Sequence, residues 1–281
     1  MEQQQEMTFN TGETQQQLRQ AYNPDGSTLR RAQLRMLDMV DYLFDAARQA
    51  GVDIRIDGGN VLGAVRHGGF IPWDDDFDTV VSRSDFKKLC RYLKEHPHPQ
   101  YVLQTPDTDR GSFVPWGRLR DLKSEYANPY PADTAMGRAF AAQKYKGLQV
   151  DIFPYEGYMI PWLLRLAAKM DCVVYFQLAL SHPWLARVVY QVLHKMVYPC
   201  FRLIGRCFGD ANRYMHSYGS WFYFRFPKDV LLPHSELLFE GRSFKGPADV
   251  DRFCRIVYGR YMDLPPKEKR AVHGSEIFVY D

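Results

Sequence analysis

The sequence has 281 residues, of which 46% are apolar and 25% charged, and its formal net charge is +3. This composition excludes an intrinsically disordered chain, and the length allows one large domain or two small ones, of which we expect one main domain. The modest net charge and a concentrated acidic segment disfavour nucleic acid as a partner.

The N-terminal segment is rich in Gln and has neither the basic nor the apolar region of a secretory signal. We therefore expect residues 1–26 to form a polar tail and residues 27–281 to form the domain. The five cysteines are odd in number and include no Cys-x-x-Cys pair. This usage argues against a disulfide framework or a structural zinc site and favours a reduced, cytoplasmic setting.

Helices and strands alternate in the first 155 residues. Ser27 fits the N-cap of a helix that runs to about Ala50, where Gly51 stops it. A strand over residues 52–57 ends at Gly58-Gly59 and precedes a short helix over 60–67. Next come a strand at 76–81, an amphipathic helix at 84–96, and strands within 101–105, 113–121 and 146–153. The pattern predicts a mixed α and β fold.

From Met159 to Phe208 the pattern is helical and strongly apolar, with breaks at Pro183 and Pro199. Residues 160–213 carry seven Lys or Arg but only two Asp. The longest uncharged run has 15 residues, which is shorter than the about 20 needed to span a bilayer. Two interpretations of this segment, at about 159–215, stay open: buried helices that cover the sheet, or an interfacial surface that lies on anionic lipid.

Residues 70–78, FIPWDDDFD, place four Asp within five positions. Strand alternation would point Asp74, Asp76 and Asp78 to one side and Asp75 to solvent. Asp151, in the apolar strand LQVDIF, could reach the same site from a second strand. Carboxylate oxygens suit Mg²⁺, although an Asp run by itself is more often a solvated turn.

An EF-hand calcium loop does not fit this acidic run. Such a loop requires Gly at its sixth position and Glu at its twelfth, and these positions hold Thr79 and Asp85.

The neighbouring Gly58-Gly59 turn favours a functional reading of the Asp run. A Gly pair between a strand and a helix lets backbone amides approach a phosphate, and the helix N-terminus adds its positive dipole. Arg66 could neutralise a phosphate or form a surface ion pair, and His67 is expected to be structural. Together these features predict a metal-dependent phosphoryl-transfer site.

These motifs resemble the LicD-like phosphocholine transferase family, which includes the fukutin-related proteins. The resemblance rests on DGGNVLGAVRHGGFIPWDDDFD, RSDFKKL, VDIFPYEG and the closing segment from FEGRSFKG to DLPP, and it covers about residues 22 to 270. It implies an α+β fold with a nucleotidyltransferase-like mixed sheet, flanking helices and a helical elaboration in the middle of the chain.

The resemblance also implies roles for individual residues. Asp76, Asp78 and Asp151 would be catalytic and would hold Mg²⁺, or alternatively Mn²⁺, and Asp74 would join the metal shell. The residues implied to face the nucleotide phosphates are Gly58, Gly59, Asn60, Arg66 and Arg118.

Three positions depart from the family pattern. Asn60 replaces a hydroxyl residue, which puts a hydroxyl contact to phosphate in doubt. Arg118 stands where Lys is frequent, so a phosphate would meet a planar fork instead of a point charge. Tyr155-Glu156 replaces an apolar residue and Asp, a change expected to affect the surroundings of the metal site.

The implied reaction transfers a phospho-alcohol from a CDP-alcohol, such as CDP-choline, to a hydroxyl of a cell-surface glycan or lipid-linked intermediate, as in lipopolysaccharide biosynthesis, and releases CMP. Peripheral membrane contact through residues 159–215 is a further expectation. Two alternatives stay open: a metal-dependent glycosyltransferase that uses a nucleotide sugar, and a non-catalytic membrane-associated assembly protein. Trp73, Trp116 and Tyr155 lie near the motifs and could contact choline, but core packing is the stronger interpretation of each.

Overall fold

The computed structural model describes residues 8–270 and 276–280 of the protein. Helices and strands alternate through the first half of the chain, as predicted. The described α-helices are α1 Gln15–Tyr22, α2 Thr28–Gln49, α3 Gly58–His67, α4 Arg83–Glu95, α5 Ala135–Ala141, α6 Pro161–Ala179, α7 Pro183–Val192, α8 Tyr198–Phe208, α9 Lys228–Leu231 and α10 Val250–Tyr258, with a π-helical turn at Leu193–Val197 and a 3₁₀ turn at Lys267–Lys269.

The strands form a main sheet and two smaller pairs. In chain order they are β1 Ile54–Ile56, β2 Asp78–Ser82, β3 Tyr101–Gln104, β4 Gly117–Asp121, β5 Ser124–Tyr126, β6 Gln149–Gly157, β7 Arg213–His216, β8 Phe226–Pro227, β9 Ser235–Phe239, β10 Arg242–Gly246 and β11 Ile277–Val279. The two smaller pairs are β9 with β10 and β5 with β11.

The main sheet is organised around β6. Its order is β1-β2-β6-β4-β3, and β7 pairs with the end of β6 and with β8. β2 and β6 are parallel, whereas β1 runs antiparallel to β2, and β4 and β7 run antiparallel to β6. The parallel pair brings the beginnings of β2 and β6 side by side, with Asp78 opposite Asp151.

The helix α2 confirms the predicted N-cap and the predicted stop. Ser27 accepts a hydrogen bond from the Arg30 N–H, and the helix ends with Ala50 as its C-cap. On one side of this helix Met36, Val40, Leu43 and Ala47 are fully buried, and Phe44 is partly buried. They belong to the same apolar cluster as the inward side chains of β2 and β6.

Residues 8–26 are not the polar tail that the sequence predicts. Thr14 and Gln17 form a capping box at the start of α1, and Leu18 is fully buried. Phe9 and Leu18 pack with Leu62 and Trp73 in a separate apolar cluster. A capping box and a few apolar contacts hold this Gln-rich helix against the protein. The polar composition of the segment gives no indication of these contacts. The prediction for residues 1–7 lies outside the described residues.

The predicted helices between Met159 and Phe208 are confirmed. The break before Pro183 is real, because this residue opens α7. Pro199 does not interrupt the helical stretch. It occupies the second position of α8, directly after the π-helical turn, where its missing N–H is tolerated. No helix within the described part of the chain is both long and apolar enough to cross a membrane.

The interpretation as buried helices holds for one side of this segment, and the interpretation as a lipid surface stays a prediction for the other. Its inward residues, such as Leu164, Ala167 and Tyr198, form an apolar cluster of their own. Its outward side leaves large apolar residues such as Trp162 and Trp184 exposed.

Candidate active site

Three carboxylates meet where β1, β2 and β6 lie side by side. Asp57 directly follows β1, Asp78 opens β2, and Asp151 is the third residue of β6. The Asp57 N–H donates to the Asp78 carbonyl over 3.0 Å, and Asp78 and Asp151 are partners in the parallel register. Because residues opposite each other in a sheet point to the same face, the three side chains share one face.

Of these carboxylates, Asp78 has the least compensated charge. Burial, and then the negative charges of Asp76, Asp151, Asp57 and Asp74, raise the pKa of Asp78 well above its usual range. Such a concentration of negative charge is the environment that a divalent cation would relieve.

The Gly58-Gly59 pair allows the start of α3 to lie against these carboxylates. Gly58 has a φ of +51°, and a Cβ at this position would lie 2.7 Å from Oδ2 of Asp78. A Cβ on Gly59 would lie 3.0 Å from Oδ2 of Asp74. Glycine is therefore required both for the backbone conformation at Gly58 and for the close approach.

Comparing Gly58→Ala with Gly51→Ala should separate the effect of the backbone conformation from that of the close approach. We expect Gly58→Ala to destabilise the fold by about 1 to 2 kcal/mol and also to weaken Mg²⁺ binding by displacing the Asp78 carboxylate. Gly51→Ala is the matched control, because Gly51 also has a positive φ, of +62°, but its Cβ would meet nothing within 4 Å. Thermal unfolding with and without Mg²⁺ checks this prediction. Equal responses to Mg²⁺ in the two variants would contradict it.

Asp57 is a site residue that the sequence analysis missed. It is 3% exposed, and the Tyr155 hydroxyl donates to both of its carboxylate oxygens, at 3.0 and 2.8 Å. His216 Nε2 lies 3.4 Å from its Oδ2. The sequence does contain an indication of this role, because Asp57 is the first residue of the DGGN motif at the end of a predicted strand. Tyr155, one of the departures from the family pattern, thus positions a carboxylate of the site.

Arg118 lies beside Asp151, and its contact with phosphate stays a prediction. Its Nε donates to Oδ1 of Asp151 over 3.1 Å, and the two side chains are 13% and 9% exposed. The other carboxylate oxygen, Oδ2, has a long contact of 3.5 Å with Gln149 Nε2. One oxygen of Asp151 is therefore held by a cation, and the other is only weakly engaged by that amide.

Asn60 and Arg66, both predicted to face phosphates, have structural partners. The Asn60 Oδ1 accepts the Asp78 N–H over 2.6 Å and so fixes the first residue of β2. The buried Arg66 guanidinium donates to the Tyr261 carbonyl over 2.8 Å, and burial lowers its pKa to about 10. These contacts indicate that Arg66 ties α3 to the C-terminal segment, and contacts of either side chain with phosphate stay predictions.

His67 is structural, as predicted. Its Nδ1 lies 2.6 Å from Oε1 of Gln15, and its ring packs against Phe9 and Trp73. Burial, with a smaller contribution from Arg66, lowers its pKa to about 3. The imidazole therefore stays neutral at physiological pH.

The acidic run differs from the predicted strand. β2 begins only at Asp78, so strand alternation does not apply to residues 74–77. Asp75 is 2% exposed, and the expectation that it faces solvent is wrong. Its carbonyl accepts the Tyr126 hydroxyl over 2.8 Å, while the Gln33 amide donates to the Asp74 carbonyl over 2.9 Å. These contacts hold the acidic segment against the interior of the protein.

The donor set at the site is compatible with a hard divalent cation. Within residues 8–270 and 276–280, no three His, Cys, Asp or Glu side chains are already arranged to hold a metal ion. The groups that meet here are nevertheless carboxylates, the preferred ligands of Mg²⁺, and the raised pKa of Asp78 reflects charge that a cation would offset.

A cavity of about 220 Å³ adjoins the carboxylates. Asp75, Asp76, Arg118 and Arg120 contribute its charged wall, in which the two signs balance. Its aromatic wall consists of Phe113, Tyr126, Tyr130, Phe140 and Tyr175. Aromatic faces of this kind suit a quaternary ammonium.

The three aromatic residues named from the sequence have packing roles. Trp73 contacts Tyr22, Trp116 packs on Phe153, and Tyr155 holds Asp57. The core-packing interpretation of these residues is confirmed.

Two comparisons show which known proteins this chain resembles. Residues 51–162 match the family model described as LicD/FKTN/FKRP, nucleotidyltransferase domain. The chain is also 25% identical over 267 residues to the lipopolysaccharide cholinephosphotransferase LicD of Haemophilus influenzae (strain ATCC 51907 / DSM 11121 / KW20 / Rd), covering 88% of this chain and 96% of that protein. The matched family segment includes Asp57, Asp78 and Asp151, and the resemblance found in the sequence is confirmed.

Proposed function

We propose that the chain, which matches the LicD/FKTN/FKRP family model over residues 51–162, is a transferase of phosphorus-containing groups that moves a phospho-alcohol from a CDP-alcohol to a hydroxyl of a glycan or lipid-linked sugar. CMP is the second product. Phosphocholine is the first candidate for the transferred group, since the Haemophilus relative is named a lipopolysaccharide cholinephosphotransferase. The proposal includes the nucleotidyltransferase fold of the family description and a cytoplasmic location.

The observation that carries this proposal is the meeting of Asp57, Asp78 and Asp151 beside the glycine turn that begins α3. A helix N-terminus offers free N–H groups and a positive dipole to a diphosphate. Asp76 and Asp78, with Asp74 close by, would hold Mg²⁺. When bound, Mg²⁺ would offset charge on the diphosphate and on the oxygen of the leaving CMP.

The residues of the chain then have distinct tasks. The amides at Gly58 and Gly59 orient the diphosphate, and Arg118 lies beside it as a second cation. The weakly engaged Oδ2 of Asp151 takes the proton of the acceptor hydroxyl, since Oδ1 is held by Arg118. The acceptor oxygen forms a bond to the distal phosphorus as the bond from that phosphorus to the CMP oxygen breaks. Positioning of the reactants supplies most of the rate.

The cavity beside Asp76 is the proposed place for the alcohol of the donor. Choline carries a permanent positive charge, and the aromatic faces of the cavity attract such a charge. Glycerol and ribitol lack this charge and gain no cation–π attraction from an aromatic face. The cavity therefore favours choline over neutral alcohols, and this preference can be tested apart from the chemistry.

Tyr175→Leu should raise the KM for CDP-choline about tenfold, the loss of one cation–π contact, with little change in kcat. Tyr175→Phe is the matched control, because it keeps the ring and should keep the KM. Neutral CDP-alcohols should not distinguish the two variants. Steady-state kinetics with CDP-choline and CDP-glycerol check this prediction. A KM for CDP-choline unchanged in Tyr175→Leu would place the choline elsewhere.

The proposed function is tested by following nucleotide release, by mass spectrometry, from a panel of CDP-alcohols and nucleotide sugars with Mg²⁺ or EDTA. We expect metal-dependent CMP release from one CDP-alcohol, with loss of release in Asp151→Asn. Release of UDP or GDP from a nucleotide sugar would favour glycosyl transfer instead. A panel without any release, even with lipopolysaccharide added as acceptor, would favour a non-catalytic role.

A further inference from the structure

The helix α6 is apolar on two opposite sides. Its inward side, with Leu163, Leu164, Ala167, Val174 and Leu178, is buried. Its outward side carries a second apolar series at helical spacing. The exposed fractions are 63% for Trp162, 39% for Leu166, 44% for Val173, 58% for Phe176 and 49% for Leu180. Side chains of this size rarely line the solvent side of a helix, and a contiguous series marks an interaction surface.

The next helical stretch repeats this arrangement. It follows α6 after a three-residue turn and continues from α7 through the π-helical turn into α8. Its outward apolar residues are Trp184, Val188, Val192, Met196, Leu203 and Phe208, with exposed fractions from 44% to 80%. The helices α6 and α7 contribute inward residues to the same buried cluster, so both turn their second apolar side away from the protein.

The outward surface of α6–α8 carries positive charge and no exposed acid. Arg165, Lys169, Lys195 and Arg206 are all exposed, and no ion pair is present for them among the described residues. The single acid of these three helices, Asp171, is buried 3.2 Å from His194 Nε2. The charge is thus positive without a local counterion, and an anionic surface would complement it.

More positive charge lies at the edge of this surface. A groove of about 440 Å³ separates α4 from α7 and the π-helical turn. Lys87, Arg91 and Lys94 of α4 line it on one side and Lys195 on the other, and Asp107 contributes the opposing charge. Phosphate groups are the natural occupants of such a groove.

From these observations we propose that the outward side of α6–α8 lies on the surface of an anionic phospholipid bilayer. The apolar residues enter the boundary between headgroups and acyl chains, and the cations contact lipid phosphates. A second copy of the chain is disfavoured as the occupant, because two like-charged surfaces repel each other. The inference extends the proposed function by placing the enzyme next to a lipid-linked acceptor, but it does not depend on the transfer chemistry.

Vesicle flotation tests the proposal with the full chain. The vesicles contain either phosphatidylcholine alone or phosphatidylcholine mixed with phosphatidylglycerol, each at low and high salt. We expect co-flotation with the anionic vesicles, weakened by salt because lipid charge is screened. Trp184 fluorescence should shift to the blue on binding. An absence of co-flotation, or equal co-flotation with both vesicle types, would overturn the proposal.

Two pairs of variants make the test specific. Trp184→Ser and Lys195→Gln should each reduce partitioning onto anionic vesicles, the first about tenfold. Leu238→Ser and Lys267→Gln are the matched controls, because these residues are exposed on other parts of the protein, Leu238 by 69% against 67% for Trp184. If Trp184→Ser floats like wild type, or if sedimentation shows that α6–α8 mediate self-association, the proposal is wrong.

The readouts separate this inference from the proposed function. Trp184→Ser should keep the CMP release of wild type from a soluble CDP-alcohol while losing vesicle binding. Vesicle binding by a chain that releases no nucleotide would retain the surface and reject the chemistry. Nucleotide release by a chain that does not bind vesicles would reject the membrane surface and retain the chemistry.

Discussion

Asp78→Asn is expected to lower kcat/KM about a thousandfold or more, since it removes the carboxylate at the centre of the proposed metal site. The variant should also lose the stabilisation by Mg²⁺ that wild type shows in thermal unfolding. Affinity for Mg²⁺ in wild type should fall as the pH is lowered through the raised pKa of Asp78, because the metal and the proton compete for the same oxygens.

The same substitution should stabilise the protein without Mg²⁺. A carboxyl whose pKa is raised by folding stabilises the fold below its unfolded pKa, and that contribution is lost as the pH rises through the folded pKa. At neutral pH, which lies above the unfolded pKa, Asp78 therefore works against folding, and Asn avoids this cost. We expect a gain on the order of 1 kcal/mol, or about 2 to 4 °C in Tm.

Asp45→Asn is the control for Asp78→Asn, since Asp45 is exposed and lies on α2 away from the site. It should change neither activity nor the response to Mg²⁺. Activity of Asp78→Asn within tenfold of wild type would remove Asp78 from the mechanism. A fall in Tm without Mg²⁺ would show that the Asp78 charge is compensated in the folded protein.

Asp57→Asn is the second large expected effect, a loss of about a hundredfold in kcat/KM. Asp57 adds the third carboxylate of the site, and its charge contributes to the raised pKa of Asp78. Tyr155→Phe removes the hydroxyl that holds both Asp57 oxygens and should reduce activity about tenfold, with a loss of about 1 kcal/mol in stability.

Tyr198→Phe is the matched control for Tyr155→Phe. The Tyr198 hydroxyl is also buried and donates to the Ala167 carbonyl over 3.0 Å, but this bond lies in the helical segment. Both variants should lose similar stability, while Tyr155→Phe alone should lose activity. Full activity in Asp57→Asn would exclude Asp57 from the catalytic site.

Local features of the fold could be predicted from the sequence. Ser27 and the apolar spacing of α2 define that helix, and the glycine pair after a strand indicates a phosphate turn. The long-range pairings could not be predicted in the same way. Tyr155 and Asp57 lie 98 positions apart, and no periodicity indicates that one holds the other.

The failures have identifiable physical causes. Asp75 was assigned to solvent because alternation was applied to residues 74–77, which precede β2. The helix α1 was missed because composition does not reveal a capping box. Periodicity could not decide how the middle helices lie, because α6 is apolar on both its buried and its exposed side.

The central claim is that carboxylates from neighbouring strands form a divalent metal site that works together with a cytidine diphosphate. Mn²⁺ binding, followed by electron paramagnetic resonance with and without CDP in wild type and Asp78→Asn, tests it most directly. We expect wild type to bind Mn²⁺, more tightly with CDP than without it, and Asp78→Asn to bind neither way. Mn²⁺ binding that is absent in wild type, or that Asp78→Asn and CDP leave unchanged, would contradict the account.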